Sequence, residues 1–414
     1  MLTALKHRNF LLLWIGLFVS FTGSFMQLAA ILWHVSLLVP PDKKGLALGM
    51  VGLVRVLPIV FFSMISGMAA DAFDRRKLML ITQLGGAIVA AALAALAFAG
   101  LTVVWPIYVL AAIGAAASAF DAPARQALVP MLVPRDVLPN AISLNTVMVQ
   151  MAQVLGPALG GIIIAVGNVG WAYIFNAISF LVVVVALAMM RNVPATERRA
   201  GQAADGMSLA AAREGLQFVF RSPMIRSTML LDFFATFFAS ATALLPIFAQ
   251  DILHVGPRGY GWLYAAPAVG ASLGSLAMLR MVDAIRERGA LLIWAVAGYG
   301  VATVVFGLST WFWVSFACLA FSGAADAVSM VIRNLVRQLD TPDDLRGRMT
   351  GINMVFFMGG PQLGELEAGL VANWWGARLS VVTGGIGCLI ATAAIAAATP
   401  QLRHYRAGEK RRAA

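Results

Sequence analysis

Apolar residues fill long unbroken blocks of this chain, and polar residues collect in short stretches between them. A helix that crosses a bilayer needs roughly 20 predominantly apolar residues. In the first half the blocks at 10–34, 46–70, 78–100, 102–121, 141–166 and 170–190 meet that length. The second half supplies 224–250, 259–281, 290–309, 311–333, 348–372 and 377–398. The pattern predicts an all-α membrane protein with twelve transmembrane helices.

Composition agrees: 60% of the residues are hydrophobic, only 12% are charged, and the mean hydropathy is +0.84. Those shares lie outside the range of soluble domains. Thirty Lys and Arg stand against nineteen Asp and Glu. A nucleic-acid partner would need a basic face on a soluble fold. Here the cations sit in short loops, where membrane topology and anionic lipid headgroups account for them.

Cys318 and Cys388 lie inside apolar blocks, and no disulfide framework or metal-ligand spacing accompanies them. Lys6 and Arg8 precede the first block, and no small-residue cleavage site follows it. That block therefore reads as a retained first helix, not a removed signal peptide.

Cation placement orients the chain. With both termini in the cytoplasm, twenty-five cations fall inside, while Lys43, Lys44, Arg258 and Arg378 fall outside and Arg55 alone lies within a helix. Lys and Arg are retained on the cytoplasmic side during insertion, so a multi-pass protein of the cytoplasmic (inner) membrane is expected, both ends inside.

The longest loop, Asn192–Ser222, splits the helices into six and six: a bundle over 1–191, a cytoplasmic linker over 192–222, and a second bundle with a basic tail over 223–414. Its later part starts at Ser208, a suitable N-cap, and sets Leu209, Ala212, Leu216 and Val219 on one face. This is an amphipathic helix on the inner membrane surface or an early start to the seventh helix. The halves also echo each other at an offset of 208, pairing Arg125 with Arg333, Pro134 with Pro342, Asp136 with Asp344, Asn145 with Asn353 and Gly156 with Gly364. Such repeats mark secondary transporters whose halves are related by an axis along the membrane normal.

Two motifs connect this pattern to a known group. The loop after the second block reads Gly67-Met-Ala-Ala-Asp71-Ala-Phe-Asp74-Arg75-Arg76-Lys77. It resembles the Gly-x-x-x-Asp loop with a basic cluster of major facilitator superfamily transporters, with Ala72 where an Arg is usual and Asp74 where many members carry Gly. The fifth block contains Ala152-Gln-Val-Leu-Gly156-Pro157-Ala-Leu-Gly160-Gly161. Gly156 and Gly160 make a small-xxx-small face, and Pro157 removes a backbone hydrogen bond. The run is similar to the superfamily's antiporter signature, with Ala152 replacing its first Gly. Asp121-Ala-Pro-Ala-Arg125-Gln126, Leu245-Pro-Ile-Phe-Ala249, Gly261-Trp-Leu-Tyr-Ala-Ala-Pro267 and Leu402-Arg-His-Tyr-Arg406 resemble the enterobactin exporter branch, proton-driven exporters related to macrolide efflux pumps. The resemblance implies two six-helix bundles around a cavity, alternating access, and export of a small molecule such as a siderophore or hydrophobic drug.

One departure is clear. Many drug and proton antiporters carry an Arg in the fourth helix, whereas Val109–Phe120 holds no charge. Coupling groups are then sought among the other charges within the blocks, since intramembrane charges are costly and face the bundle interior. Arg55 lies roughly 13 Å from the outer end of the second helix, near the midplane. Asp232 lies at comparable depth in the seventh, Asp326 in the tenth, and Glu365 and Glu367 in the eleventh. A carboxylate buried in such a place can hold a proton at neutral pH, because desolvation disfavours the anion. Asp232 or Glu365 is expected to exchange protons, with Arg55 meeting an anionic part of the cargo or pairing with an acid. A static ion pair between halves is the alternative. Asp121 reads as a helix-end residue.

Other patterns carry no chemistry. Gly270-Ala-Ser272-Leu-Gly274 matches Gly-x-Ser-x-Gly, but that motif requires a strand-to-helix turn and this one lies inside the eighth block. His34 and His254 read as interfacial, and Gln27, Asn145, Gln150, Gln153 and Asn176 as interhelical hydrogen-bonders, with cavity lining the alternative. No phosphate loop exists in the sequence, so ATP-driven pumping is not expected. The expectation is a monomeric, cofactor-free transporter, not an enzyme, driven by the proton gradient. Its alternatives are an importer or facilitator of the same fold, or a non-transporting membrane sensor or scaffold.

Overall fold

The computed structural model describes residues 2–191, 217–281, 284–342 and 346–405, apart from the side chains of 63–64, 67–72, 346–348, 350–352 and 354–358. No β-strand forms among the described residues. The long helices are α1 (Arg8–Leu38), α2 (Lys44–Ala72), α3 (Arg75–Phe98), α4 (Trp105–Leu128), α5 (Leu138–Val166) and α6 (Val169–Met189). After the linker come α7 (Pro223–Phe238), α8 (Gly256–Met281), α9 (Arg288–Leu308), α10 (Phe312–Asp340), α11 (Arg346–Trp375) and α12 (Ala377–Ala398). Eleven stretches among the described residues are long and apolar enough to span a membrane. α11, with 30 residues, occupies the remaining place in the expected order. The linker expectation falls mostly outside the described residues.

α7 is not one straight rod. Its α-helix stops at Phe238, and the chain continues to Ile252 through two short turns and a π-helical turn, Phe248–Ile252. A break inside a bilayer frees backbone groups that need new partners. The Tyr299 hydroxyl supplies one, donating to Ala239 O at 3.3 Å.

The chain forms two compact units. In unit 1, α1 packs on α5 and α6 while α3 packs on α4 and α6. In unit 2, α7 packs on α11 and α12 while α9 packs on α10 and α12. Adding six to each helix number turns the first pattern into the second, so the 208-residue repeat in the sequence is a repeat of packing.

The units are not simple halves. Unit 2 includes the opening turns of α2, 42–52, and unit 1 includes the opening turns of α8, 255–265. Glycines permit both crossings. A Cβ at Gly161 would stand 2.5 Å from Pro257 O and 2.9 Å from Gly261 Cα. Within unit 2, a Cβ at Gly49 would stand 2.9 Å from Glu365 O and 3.1 Å from Gly369 Cα. Only bare backbone allows helices this close.

The outward faces are apolar. Phe61, Ile88, Trp294 and Ile390 are exposed, which suits acyl chains. Trp105, Trp311, Trp313, Trp374 and Trp375 are exposed at helix ends, where amphipathic rings meet headgroups.

Candidate functional site

Unit 1 encloses a cavity of about 210 Å³ whose walls come from α1, α2, α3, α4 and α6. Arg55 is on its wall, together with Gln27, Asn176, Gln83, Asp121 and Arg125. The sequence places Asp121 at the end of α4, but α4 continues through Pro123 to Leu128, and Asp121 is inside it. Asp121 Oδ1 accepts from Thr82 Oγ1 at 3.1 Å and Gln83 Nε2 at 2.9 Å. Its other oxygen is 3.4 Å from Arg125 Nε, one helical turn on. The Arg125 guanidinium lies 4.4 Å from the Phe21 ring centroid, within cation–π range. At the other end of the polar wall, Asn176 Nδ2 donates to Gln27 Oε1 at 2.8 Å, an interhelical bond of the expected kind.

Unit 2 holds the second cluster. Arg333 is 1% exposed, and its two terminal nitrogens reach Asp232 Oδ1 at 2.8 Å and Asp326 Oδ1 at 3.3 Å. Asp232, on α7, is 3% exposed. The side chain of Asp326, on α10, is 43% exposed and borders a cavity of about 120 Å³ with Thr242, Tyr299, Thr303 and Ser322. Burying an ion is costly unless opposite charge and hydrogen bonds replace water, so each of these groups depends on the others.

Two of the sequence-predicted residues, Asp232 and Asp326, thus meet on one arginine. Arg55 belongs to the unit 1 cavity. Glu365 is half-buried on α11 beside the opening of α2, where a Cβ at Gly52 would stand 2.7 Å from its Oε2. Glu367 is half-buried on the same helix.

The motif between α2 and α3 is built partly for structure. Asp74 caps α3, accepting from the backbone N–H of Arg76 at 2.9 Å and of Lys77 at 3.1 Å. Arg75 donates to Ala127 O at 3.1 Å and Arg76 to Ala188 O at 3.2 Å, near the C-termini of α4 and α6. Cations are favoured there by the helix dipoles. Gly67 and Asp71 fall in the part of α2 whose side chains lie outside the described set. In the antiporter-like run, Gly156 and Gly160 face α1: added Cβ atoms would stand 2.6 Å from Thr22 O and 3.0 Å from Met26 Cγ. Pro157 is buried inside α5, and Gly161 faces α8.

Sequence reasoning missed Asp121, Arg125 and Arg333. Asp121 reads in the sequence as a helix-end residue, and Arg125 and Arg333 count there among the cytoplasmic cations, because charge usually marks a boundary. The signal that locates two of them was the repeat, which matches Arg125 to Arg333. His34, expected at an interface, is buried 3.2 Å from the Tyr173 hydroxyl. The Gly-x-Ser-x-Gly run lies inside α8, as expected, with Gly274 set against Ala324 of α10.

A family model described as transmembrane secretion effector matches residues 1–411. The chain is 25% identical to the enterobactin exporter EntS of Escherichia coli strain K12 over 351 residues, 83% of this chain and 81% of that protein. The EntS of Shigella dysenteriae serotype 1 matches with the same identity and coverage. In structure it resembles a POT family transporter crystallised with 5-aminolevulinic acid, at a TM-score of 0.76 and 10% identity over 95% of this chain and 96% of the other. A bacterial homologue of the lysosomal transporter Spinster gives a TM-score of 0.73 at 16% identity, covering 97% and 99%. With the repeat, the helix order and the membrane-length spans, these matches show that the chain belongs to the transmembrane secretion effector family of the major facilitator superfamily and is a multi-pass membrane transporter of small molecules.

Proposed function

We propose that this protein exports a small molecule, a siderophore or a hydrophobic drug, across the cytoplasmic membrane in exchange for protons, by alternating access and with both termini in the cytoplasm. The observation that carries the proposal is the pair of carboxylates sharing Arg333. In this reading Asp326, which borders a cavity, is the carboxylate on the proton path, while buried Asp232 keeps the arginine compensated. In the same reading Arg55, on the wall of the unit 1 cavity, meets an anionic part of the cargo. Glu365 is the second candidate for proton exchange. The similarity to an enterobactin exporter and the antiporter-like run at Gly156–Gly161 support the outward direction. In this reading the proton gradient is the energy source, no bound cofactor takes part, and a monomer is the working unit.

The test uses inside-out membrane vesicles energised by respiration, with enterobactin and a macrolide offered in turn. The protein should drive accumulation of one of them into the vesicle lumen, and a protonophore should abolish it. Accumulation that survives the protonophore identifies a facilitator. No flux of either compound, from protein shown to be folded and inserted, overturns the proposal.

A further inference from the structure

The cavity of about 120 Å³ in unit 2 has walls that offer acceptors and few donors. A hydroxyl carries one proton and two lone pairs. On this wall the Tyr299 hydroxyl donates its proton to Ala239 O at 3.3 Å, Thr303 to Tyr299 O at 3.0 Å and Ser322 to Leu319 O at 2.7 Å. What these three groups have left for the cavity is lone pairs. Thr242 adds a further hydroxyl oxygen and Asp326 a carboxylate, and no Lys, Arg, His, Asn, Gln or Trp is among the described lining residues.

The backbone and the charge count point the same way. The α-helical part of α7 ends at Phe238, and its C-cap, Ala239, is on the cavity wall. A helix C-terminus presents partial negative charge, and helices broken inside a bilayer offer such ends to cations. Arg333 pairs with both Asp232 and Asp326, so the three groups in contact carry one net negative charge. The next cation on α10, Arg337, is roughly 16 Å further along the helix axis, and it donates to Asn334. The fold does not require this charge, because at the repeat offset of 208 Asp326 corresponds to Ser118, on the wall of the unit 1 cavity.

We propose that the unit 2 cavity is a binding site for a small monovalent cation of the size of Na⁺. Asp326 is its charged ligand, and the oxygens of Thr242, Tyr299, Thr303 and Ser322 surround it, since hard cations take oxygen ligands. One positive charge neutralises the cluster, whereas a divalent ion would bury an excess of the opposite sign. A transition metal lacks a ligand set, because no group of three His, Cys, Asp or Glu forms among the described residues. The volume admits the ion with a few water molecules, each of which takes about 30 Å³ in the liquid. The inference rests on the geometry of unit 2 alone; neither the direction of transport nor proton coupling enters it. It gives Asp326 a second ion besides the proton.

Equilibrium binding of radiolabelled Na⁺ to the purified full-length protein in detergent tests it, with ionic strength held constant by choline chloride. Binding should saturate, unlabelled Na⁺ should displace the label, and choline, whose charge is shielded by methyl groups, should not. Asp326→Asn should weaken binding at least about tenfold, the size of one contact to a charged group. Thr303→Val combined with Ser322→Ala keeps the carboxylate and should weaken it about fivefold or more, the size of one net polar contact. That double variant also serves if Asp326→Asn does not fold. Asp251→Asn removes a carboxylate elsewhere in unit 2, one paired with Lys44 at 3.0 Å, and should leave binding unchanged.

Binding that does not saturate, displacement by choline, stronger displacement by Mg²⁺ than by Na⁺, or indifference to both cavity variants would each overturn the site. No gradient is present in this assay, so Na⁺ binding alongside failed vesicle transport would count against export alone. Pumped transport without Na⁺ binding would count against the cation site alone.

Discussion

Arg125 and Arg333 occupy one position of the internal repeat, and their surroundings differ in kind. Arg125 is paired within its own helix to Asp121, lies over Phe21, and borders two cavities. Arg333 is sealed in unit 2, where it ties α10 to Asp232 of α7 and reaches Asp326 seven residues earlier in its own helix. A guanidinium paired locally at a cavity wall can change partners at small cost. One that joins two helices out of reach of water cannot leave without stranding charge. The duplication set where the arginine stands; the carboxylate on a second helix decides whether it anchors the bundle or remains available to a ligand.

The largest expected effect follows from that difference. Arg333→Gln leaves Asp232 buried without a counter-charge, a loss of about 3–5 kcal/mol. The variant should fail to give a single sharp peak in size-exclusion chromatography of the detergent-solubilised protein. Adding Asp232→Asn removes the stranded charge and should restore the peak. Arg125→Gln costs about 1–2 kcal/mol, for an in-helix pair and a ring contact, and should stay folded. If Arg125→Gln unfolds the protein and Arg333→Gln does not, the two roles are reversed.

Asp326→Asn separates coupling from architecture inside unit 2. Its side chain is partly exposed at a cavity and Arg333 keeps Asp232, so the fold should persist. Under the proposed function, proton-driven accumulation in energised vesicles should vanish, while exchange of labelled for unlabelled cargo continues without a gradient. Pumping that persists in this variant would move proton exchange to another carboxylate, with Glu365 next in line.

How much of this was legible depended on what each residue signals. Helix number and helix order follow from apolar block length, because the bilayer imposes its thickness on the sequence, and the repeat follows from residues that match at an offset of 208. The glycine run in α5 was readable because small residues at helical spacing mark close helix contact. The charged clusters were not. Asp121 precedes Pro123, and the pair looks like a helix end, yet α4 continues for another turn and a half beyond it. Arg333 resembles a loop cation that obeys the positive-inside rule, but α10 runs on to Asp340 and compensates it from within. A charge marks a boundary only when nothing nearby neutralises it, and a linear sequence does not display partners on other helices. Asp232 and Asp326 were found because they stand far enough inside their blocks to need explaining.

The glycine crossings are the feature in which the units agree, and they give the next test. Gly261→Val in unit 1 and Gly49→Val in unit 2 each push a branched side chain into facing backbone. Overpacking of this type costs about 1–3 kcal/mol. Thermal unfolding of the purified protein should show losses of similar size for the two variants, and smaller ones for the Ala substitutions. A large loss at one crossing with none at the other would show that the units tolerate separation of these helices differently.

The smallest expected effect returns to a contrast. α3 and α9 are equivalent in the repeat, but α3 begins with Asp74 accepting two backbone N–H groups, while Glu287, ahead of α9, makes no side-chain capping bond. The first turn of a helix carries donors without partners inside it, and a capping oxygen satisfies them. Asp74→Ala should therefore cost about 1 kcal/mol, or about 2–4 °C in Tm for a domain of this size. Glu287→Ala should bring no capping loss. Asp74→Asn and Asp74→Ser, which keep an acceptor, should recover most of the deficit. If neither does, Asp74 serves the loop through its charge toward Arg75 and Arg76, and the cap is incidental to its presence in the motif.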